Sequence, residues 1–571
     1  MTLPLPQTVD EFDHRNWSGY EPYFAELQAR ELTPATYRQW LADWSHLAKL
    51  LREAMAAASI AKSLDTTDAE KEAAYLHMVS QVLPPAQIAE QGLNLRLLAL
   101  DPSDEDLRLV LRQVREAVKL FREANIPIRT TLQKLANDYD KITGQLAADW
   151  GGETRNLSQL SAFLQSPDRA TREGAWRTTL GLWAGVRERL DALYGEMLGW
   201  RVQMARNADL PDYRAFAFRE RGRFDYTPED CLTFHAAIAE VVVPAARRIL
   251  EDRRERLGLE VLRPWDEEVE PAAAPLLPYR GQAELVAHSQ AIFNQVDGEF
   301  GRYFSLMAQD GLLDLDTRPG KALGGYCTTL PIRQRPFIFM NGVGAHRDVQ
   351  TMLHEAGHAF HAFEAMRHQP LIWQRQSPME FNEVASMAME LLSSPYLTHA
   401  HGGFYTPAEA ARARIHHLEK TILFLPYMAV VDSFQHWVYT HVTEAADPRA
   451  LDAQWDALWL RFMPVTDWSG FEAERATGWH RKLHIFRHPF YYIEYGMAQV
   501  GALQVWRNSL RDQAQAVADY RRALRLGATR TLPELYAAAG AEFRFDRQML
   551  SELISLAGDV MADLREVAAQ G

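Results

Sequence analysis

The pentapeptide His354-Glu355-Ala356-Gly357-His358 concentrates more reactive chemistry than any other stretch of this sequence. On a helix, residues i and i+4 lie on one face about one turn apart. Two imidazoles so placed reach one Zn²⁺ at about 2.0–2.1 Å. Glu355 sits about 100° further round the helix, flanking the ion without ligating it. That is where a base for a metal-activated water belongs. The run from Val349 to Met366 is apolar on most of its circumference (Val349, Met352, Leu353, Ala356, Ala359, Phe360, Phe363), which predicts a buried helix. Two histidines and a glutamate buried together need a partner for their charge and lone pairs, and a metal is one.

The third ligand must come from elsewhere. Glu364 follows His354 by ten residues, but a continuing helix carries it about 15 Å along the axis, out of reach. The next helix opens at Ser377-Pro378, with Glu380 as its capping-box acid. Behind it stand Glu383 and Glu390, seven residues apart, on a face that otherwise reads apolar (Met387). Unpaired buried carboxylates are rare. Glu383 therefore reads as the third ligand and Glu390 as the acceptor for a ligand histidine's other N–H. A His₂Glu set selects zinc by ligand type, one ion per chain. Tyr492 and Tyr495 share a helix face beginning after Pro489. Away from a metal they are an aromatic core stripe; beside one, a phenol is a suitable neutral donor to a developing oxyanion. His416, His417, His436 and His441 show no ligand-spaced carboxylate and read as surface or satisfied histidines.

These residues need helices to hold them, and most of the chain reads as helix. A start signal recurs, a hydroxyl followed by Pro and often an acid: Thr33-Pro34, Ser166-Pro167, Thr227-Pro228 with Asp230, Ser377-Pro378 with Glu380, and Thr406-Pro407 with Glu409. Thr67 with Glu70 is a capping box without proline. Long amphipathic runs cover Tyr37 to Ile60 and Asp106 to Ala124. Leu323 to Leu330 and Pro336 to Asn341 break the rhythm and predict a two-stranded hairpin. Its glycines, Gly324 and Gly325, mark either a bulge or the close approach of another backbone. Glu267 to Tyr279, with Pro271, Pro275 and Pro278, is the clearest loop, and Gly151-Gly152 is a weaker break. The expected organisation is an N-terminal helical region, residues 1–150, and a catalytic region, residues 151–571. No repeat is visible.

Composition bounds the rest. In 571 residues, 61 basic and 75 acidic side chains leave a net charge of −14. That balance argues against a dedicated nucleic-acid or anionic-membrane binder, which wants a basic face. The longest apolar stretch, Ile422 to Val431, is interrupted by Pro426 and is far short of the roughly 20 residues a bilayer requires. The two cysteines, Cys231 and Cys327, fit a reducing compartment and exclude a Cys₄ metal site. Residues 1–12 carry no apolar core of a signal peptide. The expectation is a soluble, cytoplasmic protein.

His354-Glu-Ala-Gly-His358-Ala-Phe-His361, with Glu383 in a Glu-Val-Ala-Ser context, resembles the M3 metallopeptidases, the thimet oligopeptidase and oligoendopeptidase F group. Gly324-Gly-Tyr-Cys-Thr, Pro336-Phe-Ile-Phe and His484-Ile-Phe-Arg-His-Pro-Phe-Tyr-Tyr-Ile-Glu-Tyr495 resemble the oligoendopeptidase F (Pz-peptidase) branch. The similarity is strong from about residue 320 to 510 and extends from about 165 to the C-terminus; the first 150 residues match no motif. The resemblance implies a largely helical, zincin-like body with a deep substrate channel, one catalytic zinc and a small hairpin near it. It implies endopeptidase action on short, unstructured peptides. Carried over by position, His354, His358 and Glu383 are ligands, Glu355 is the base, and His484, Tyr492 and Tyr495 support the tetrahedral intermediate. The stretch Phe486-Arg-His-Pro-Phe490 departs from the thimet pattern, so Tyr491 or His488 competes for the role given to Tyr492. The hairpin, with Gly324, Gly325 and Tyr326, would take the substrate as an added strand. The rival readings are a zinc carboxypeptidase or dipeptidase of a related helical family and a peptide-binding protein without catalysis. Oligomeric state and cleavage preference stay open.

Overall fold

The computed structural model describes residues 3–270, 275–322 and 324–570. Met1, Pro271 of the proline-rich loop and Leu323, the expected first residue of the hairpin, lie outside them. Among the described residues the chain is mainly α, with two small sheets. Among the described residues no helix is long and apolar enough to cross a membrane.

Thr227 and Thr406 begin helices as their sequence signal predicts. Each hydroxyl accepts from the third helical N–H while that residue's carboxylate accepts from the threonine N–H. Elsewhere the signal misplaces the start. Asp68 caps in place of Thr67 and Asp168 in place of Ser166, because their carboxylates reach the free N–H groups at 2.9–3.2 Å. Thr33-Pro34 forms a turn, and the helix begins at Tyr37. Glu380 does not cap either. It is buried against Tyr226 and Arg223, and Ser377 Oγ is engaged by His361 Nε2 at 3.0 Å.

Helix α1 (Tyr37–Leu64) belongs to a core running from Val9 to Val114 and closed by Leu371. A larger core, from Leu120 to Leu564, holds the elements that build the site. Gly151 and Gly152 form the turn between strands β1 (Ala147–Trp150) and β2 (Glu153–Asn156). Both have the positive φ, +66° and +83°, that a two-residue hairpin turn demands. Helix α2 (Pro228–Ala237) follows. A second sheet has the order β3-β5-β4. Strand β3 (Leu313–Asp316) lies parallel to β5 (Arg335–Gly342), and β4 (Tyr326–Leu330) lies antiparallel to it, Tyr326 opposite Phe339 and Leu330 opposite Arg335. The hairpin is as the sequence predicts, with β4 on the outside. Strand β3 escapes prediction because its four residues are too short for a periodicity.

Helix α3 (His346–His368) packs against β5. Asp348 fixes its start: Oδ2 accepts from Val343 N at 2.8 Å, Ala345 N at 2.9 Å and Tyr279 Oη at 2.8 Å. Helix α4 (Met379–Ser393) crosses α3 at the pentapeptide. A Cβ on Gly357 would stand 2.6 Å from both Ala385 O and Ser386 Cα, so only glycine lets α4 come this near. Helix α5 (Pro407–Thr440) forms one wall of the site, and α6 (Tyr492–Ser509) backs α4 on its other side.

Candidate metal centre

The crossing of α3 and α4 brings His354, His358 and Glu383 together, their ligand atoms all within 4.8 Å of one another. Glu383 Oε2 lies 3.5 Å from His354 Nε2 and 3.7 Å from His358 Nε2. A tetrahedral site with 2.0–2.3 Å bonds has ligand–ligand edges of about 3.3–3.8 Å. The donor set and its spacing therefore fit zinc. Glu364, by contrast, points away and is engaged by Arg521 at 2.6 Å, Arg525 at 2.8 Å and Tyr303 at 3.0 Å.

Two of the three candidate ligands, His354 and Glu383, are oriented from behind. His354 Nδ1 donates to Glu390 Oε1 at 2.8 Å, which leaves Nε2 for the ion. Glu390 Oε2 lies 3.0 Å from His417 Nε2 on α5. Of the two sequence readings of His417, surface or satisfied, the second holds: it is paired with the acid that orients His354. Glu383 Oε1 accepts from Tyr491 Oη at 2.9 Å, and Ser386 Oγ lies 3.1 Å from Oε2. Burial alone would raise the Glu383 carboxyl. The two nearby imidazoles, His354 foremost, and the Tyr491 hydroxyl instead pull it down to about 2. It stays an anion, as a ligand must. Burial drives the His358 imidazole down to about 4, keeping it neutral.

Glu355 is buried beside the triad and its burial pushes it up to about 7, with His354 opposing and the charges of Glu383 and Glu390 adding. The start of β4 reaches this residue: a Cβ on Gly325 would lie 3.3 Å from Thr351 Cγ2, 3.4 Å from Phe339 O and 3.8 Å from Glu355 Oε1. Gly324 has φ of +94° and makes the bend into the strand. Tyr326 stacks on Phe339 at 4.9 Å, so its ring serves the sheet.

His484, Tyr491, Tyr492 and Tyr495 form one aromatic cluster, with His484 within 5.0–5.9 Å of all three tyrosine rings. They face different ways. Tyr491 holds Glu383. Tyr495 is half-buried, and the charges of Glu383 and Glu355 both act on its hydroxyl. Tyr492 is 5% exposed, packs edge-on to Tyr427 at 5.9 Å and lies under Lys482 Nζ at 4.2 Å. No site carboxylate is among its charged neighbours. Tyr491 and Tyr495, rather than Tyr492, are the tyrosines that lie toward Glu383. The cause is the turn before them: Phe490 takes a positive φ of +62°, which rotates Tyr491 toward α4. A cavity of about 780 Å³ opens beside this cluster, lined by Glu390, His417, Phe424, His484, Tyr492 and Tyr495 among others.

The model of peptidase family M3 matches residues 162–554, a span that contains every one of these side chains. The chain belongs to peptidase family M3. Among solved structures, Pz peptidase A with inhibitor 2 is 26% identical, over 99% of this chain and 100% of that one, with a TM-score of 0.89. An oligoendopeptidase F is 27% identical over 98% of this chain and 100% of that one, at a TM-score of 0.90. An oligoendopeptidase F from Bacillus anthracis is 25% identical over 97% of each chain, at a TM-score of 0.85. Comparison with curated protein sequences gave no match. The protein is an M3 peptidase of the oligoendopeptidase F and Pz-peptidase branch. In this M3 site, sequence reasoning missed three supports: the Tyr491 bond to Glu383, the Ser386 hydroxyl and the His417 imidazole. Only Tyr491 had a signal, its adjacency to Tyr492.

Proposed function

We propose that this M3 peptidase is a zinc-dependent endopeptidase that hydrolyses internal bonds of short, unstructured oligopeptides. One observation carries the reading: His354, His358 and Glu383 aim ligand atoms at one point with Glu355 beside them. Zinc held there would polarise a scissile carbonyl and acidify the attacking water. Glu355 takes the proton of that water and delivers it to the leaving amine. Tyr495 and His484 donate to the oxyanion, because they border the cavity on the side of the carboxylates. Tyr491 and Glu390 hold ligands in place, and Tyr492 forms wall. The outer strand β4, with Gly324 and Gly325 leading into it, offers its backbone to an extended substrate. Tyr326 contributes main chain only. The partners are short peptides; the acidic balance supports neither nucleic acid nor membrane surface. Two unpaired cysteines support a cytoplasmic location.

Arg347, Lys420 and Lys482 also line the cavity and favour a second reading, a carboxypeptidase that grips a terminal carboxylate. The test uses zinc-loaded protein and one peptide sequence in two forms, free and blocked at both ends. Internal cleavage of the blocked form, abolished by a chelator and restored by zinc, is the expected result. Stepwise removal from the free C-terminus alone would replace the endopeptidase reading. Binding without cleavage of either form would overturn both.

A further inference from the structure

A second group of metal-ligating side chains lies in the core, built from two helices that take no part in the triad. Cys231 and His235 stand four apart on α2; Asp432 and His436 stand four apart on α5. The four are between 0% and 3% exposed. Ligand atoms of Cys231, Asp432 and His436 all lie within 4.8 Å of one another. His235 Nε2 is 3.0 Å and His436 Nε2 3.2 Å from Asp432 Oδ2. These two edges approach the roughly 3.3 Å of a tetrahedral zinc with 2.0 Å bonds.

The short approaches are not aligned as hydrogen bonds. His235 Nε2, both nitrogens of His436 and both oxygens of Asp432 are buried without a hydrogen-bond partner among the described residues. Orphaned polar atoms in a core are rare, and a buried carboxylate needs a cation. Of the neighbouring Arg223 guanidinium, Nη2 bonds Glu494 at 2.8 Å and Nε lies 3.7 Å from Glu380, and among the described residues no ion pair joins it to Asp432. Ser433 Oγ holds His235 Nδ1 at 2.9 Å, which turns Nε2 inward, as the outer support of a metal-bound histidine does.

We propose that Cys231, His235, Asp432 and His436 form a second metal site that takes one zinc-type divalent ion and staples α2 to α5. Thiolate, imidazole and carboxylate of Cys231, His436 and Asp432 converge as three donors, and His235, which meets Asp432 but stands outside that converging group, supplies the fourth, the number a structural ion takes. The staple lies under the turn that aims Tyr491. Gln435, beside His436, accepts from Phe490 N at 2.7 Å, and the His436 ring packs on Phe490 at 5.3 Å. Phe490 is the residue with positive φ, and the next side chain is the one that holds Glu383.

The experiment counts zinc per chain in the full-length protein by elemental analysis. Wild type should carry two ions. A His358→Ala/Glu383→Ala variant, with the triad broken, should retain one, and so should Cys231→Ser with the triad intact. Cobalt(II) then reports the ligand. In the triad variant also carrying Cys327→Ser, a thiolate-to-cobalt charge-transfer band should appear, and adding Cys231→Ser should remove it, with circular dichroism confirming that each variant is folded. One zinc in wild type and none in the folded triad variant would overturn the proposal and leave the cluster sharing a proton. Two zinc ions in Cys231→Ser, or no thiolate band, would overturn this ligand set.

Discussion

Glu355 and Glu383 lie in one buried pocket but are shifted in opposite directions: burial raises Glu355 to about 7, while the two imidazoles and the Tyr491 hydroxyl pull Glu383 down to about 2. A permanent anion suits a ligand, and a group that titrates near neutrality suits proton transfer. Glu355→Gln should keep zinc and lower turnover at least ~10²-fold, the lower range of general-base contributions. Zinc content and kcat measured on the same preparation check this, and an active, zinc-loaded variant would remove Glu355 from the mechanism. The three tyrosines separate by the same logic. Tyr495→Phe should lower kcat by about 10²–10³-fold with KM little changed, as loss of an oxyanion donor does. Tyr491→Phe should weaken zinc affinity, by about 10–100-fold if it orients Glu383 as an outer partner does. Tyr492→Phe should do neither. Parallel kinetics and zinc titrations on the three variants decide among them; a large kcat loss at Tyr492 alone would reverse the assignment.

At the scale of elements, the site is a helix crossing that glycine permits. Gly357 sits inside the pentapeptide, and the backbone of α4 passes where its Cβ would be. On α6, Gly501 repeats the device: a Cβ there would stand only 2.8 Å from Val384 Cγ2. Gly357→Ala gains about 1 kcal/mol of helix propensity but forces α4 outward, an overpacking that costs about 1–3 kcal/mol. The shift moves Glu383 off the histidines. Zinc affinity should therefore fall even where the melting temperature barely changes. Competition titration against a zinc chelator measures this, and wild-type affinity in Gly357→Ala would show that the crossing does not set the triad. The sheet is held by a longer reach. Glu53 of α1 is buried and accepts from Ile332 N at 2.6 Å and Arg333 N at 3.1 Å, in the turn joining β4 to β5. The N-terminal core thereby grips the strand proposed to receive substrate.

For the molecule as a whole, the recessed position of the carboxylates bears on the proposed substrate. Glu355 and Glu383 are 7% and 3% exposed, and the ligand histidine side chains 24%. An extended chain can thread its backbone to atoms so recessed, whereas the surface loop of a rigid domain meets the rim first. Mass spectrometry of paired digests should find an end-blocked peptide cut internally and a stable folded protein intact under the same conditions. Ready cleavage of the folded protein at its loops would mean an open cleft, and the enclosed site would be given up even if the zinc chemistry stood.

The His354–His358 spacing and the Glu383–Glu390 pair were legible in the amino-acid order because both rest on helical periodicity, which is local. The hairpin was legible from its alternation and turn residues for the same reason. Helix starts were read less well, since an aspartate one or two residues on competes with the hydroxyl for the same free N–H groups. What periodicity cannot supply is the rotation of one element against another. Tyr491 rather than Tyr492 meets Glu383 because Gln435 and Arg223, far away in the chain, hold Phe490 in a left-handed conformation. Asp432 stands four residues before His436, a ligand spacing that the reading of His436 as a surface or satisfied histidine passes over. Only when α5 packs on α2 do Cys231 and His235 come to meet them, and that juxtaposition is decided by the burial of two apolar helix faces against each other, a contact between residues about 200 positions apart.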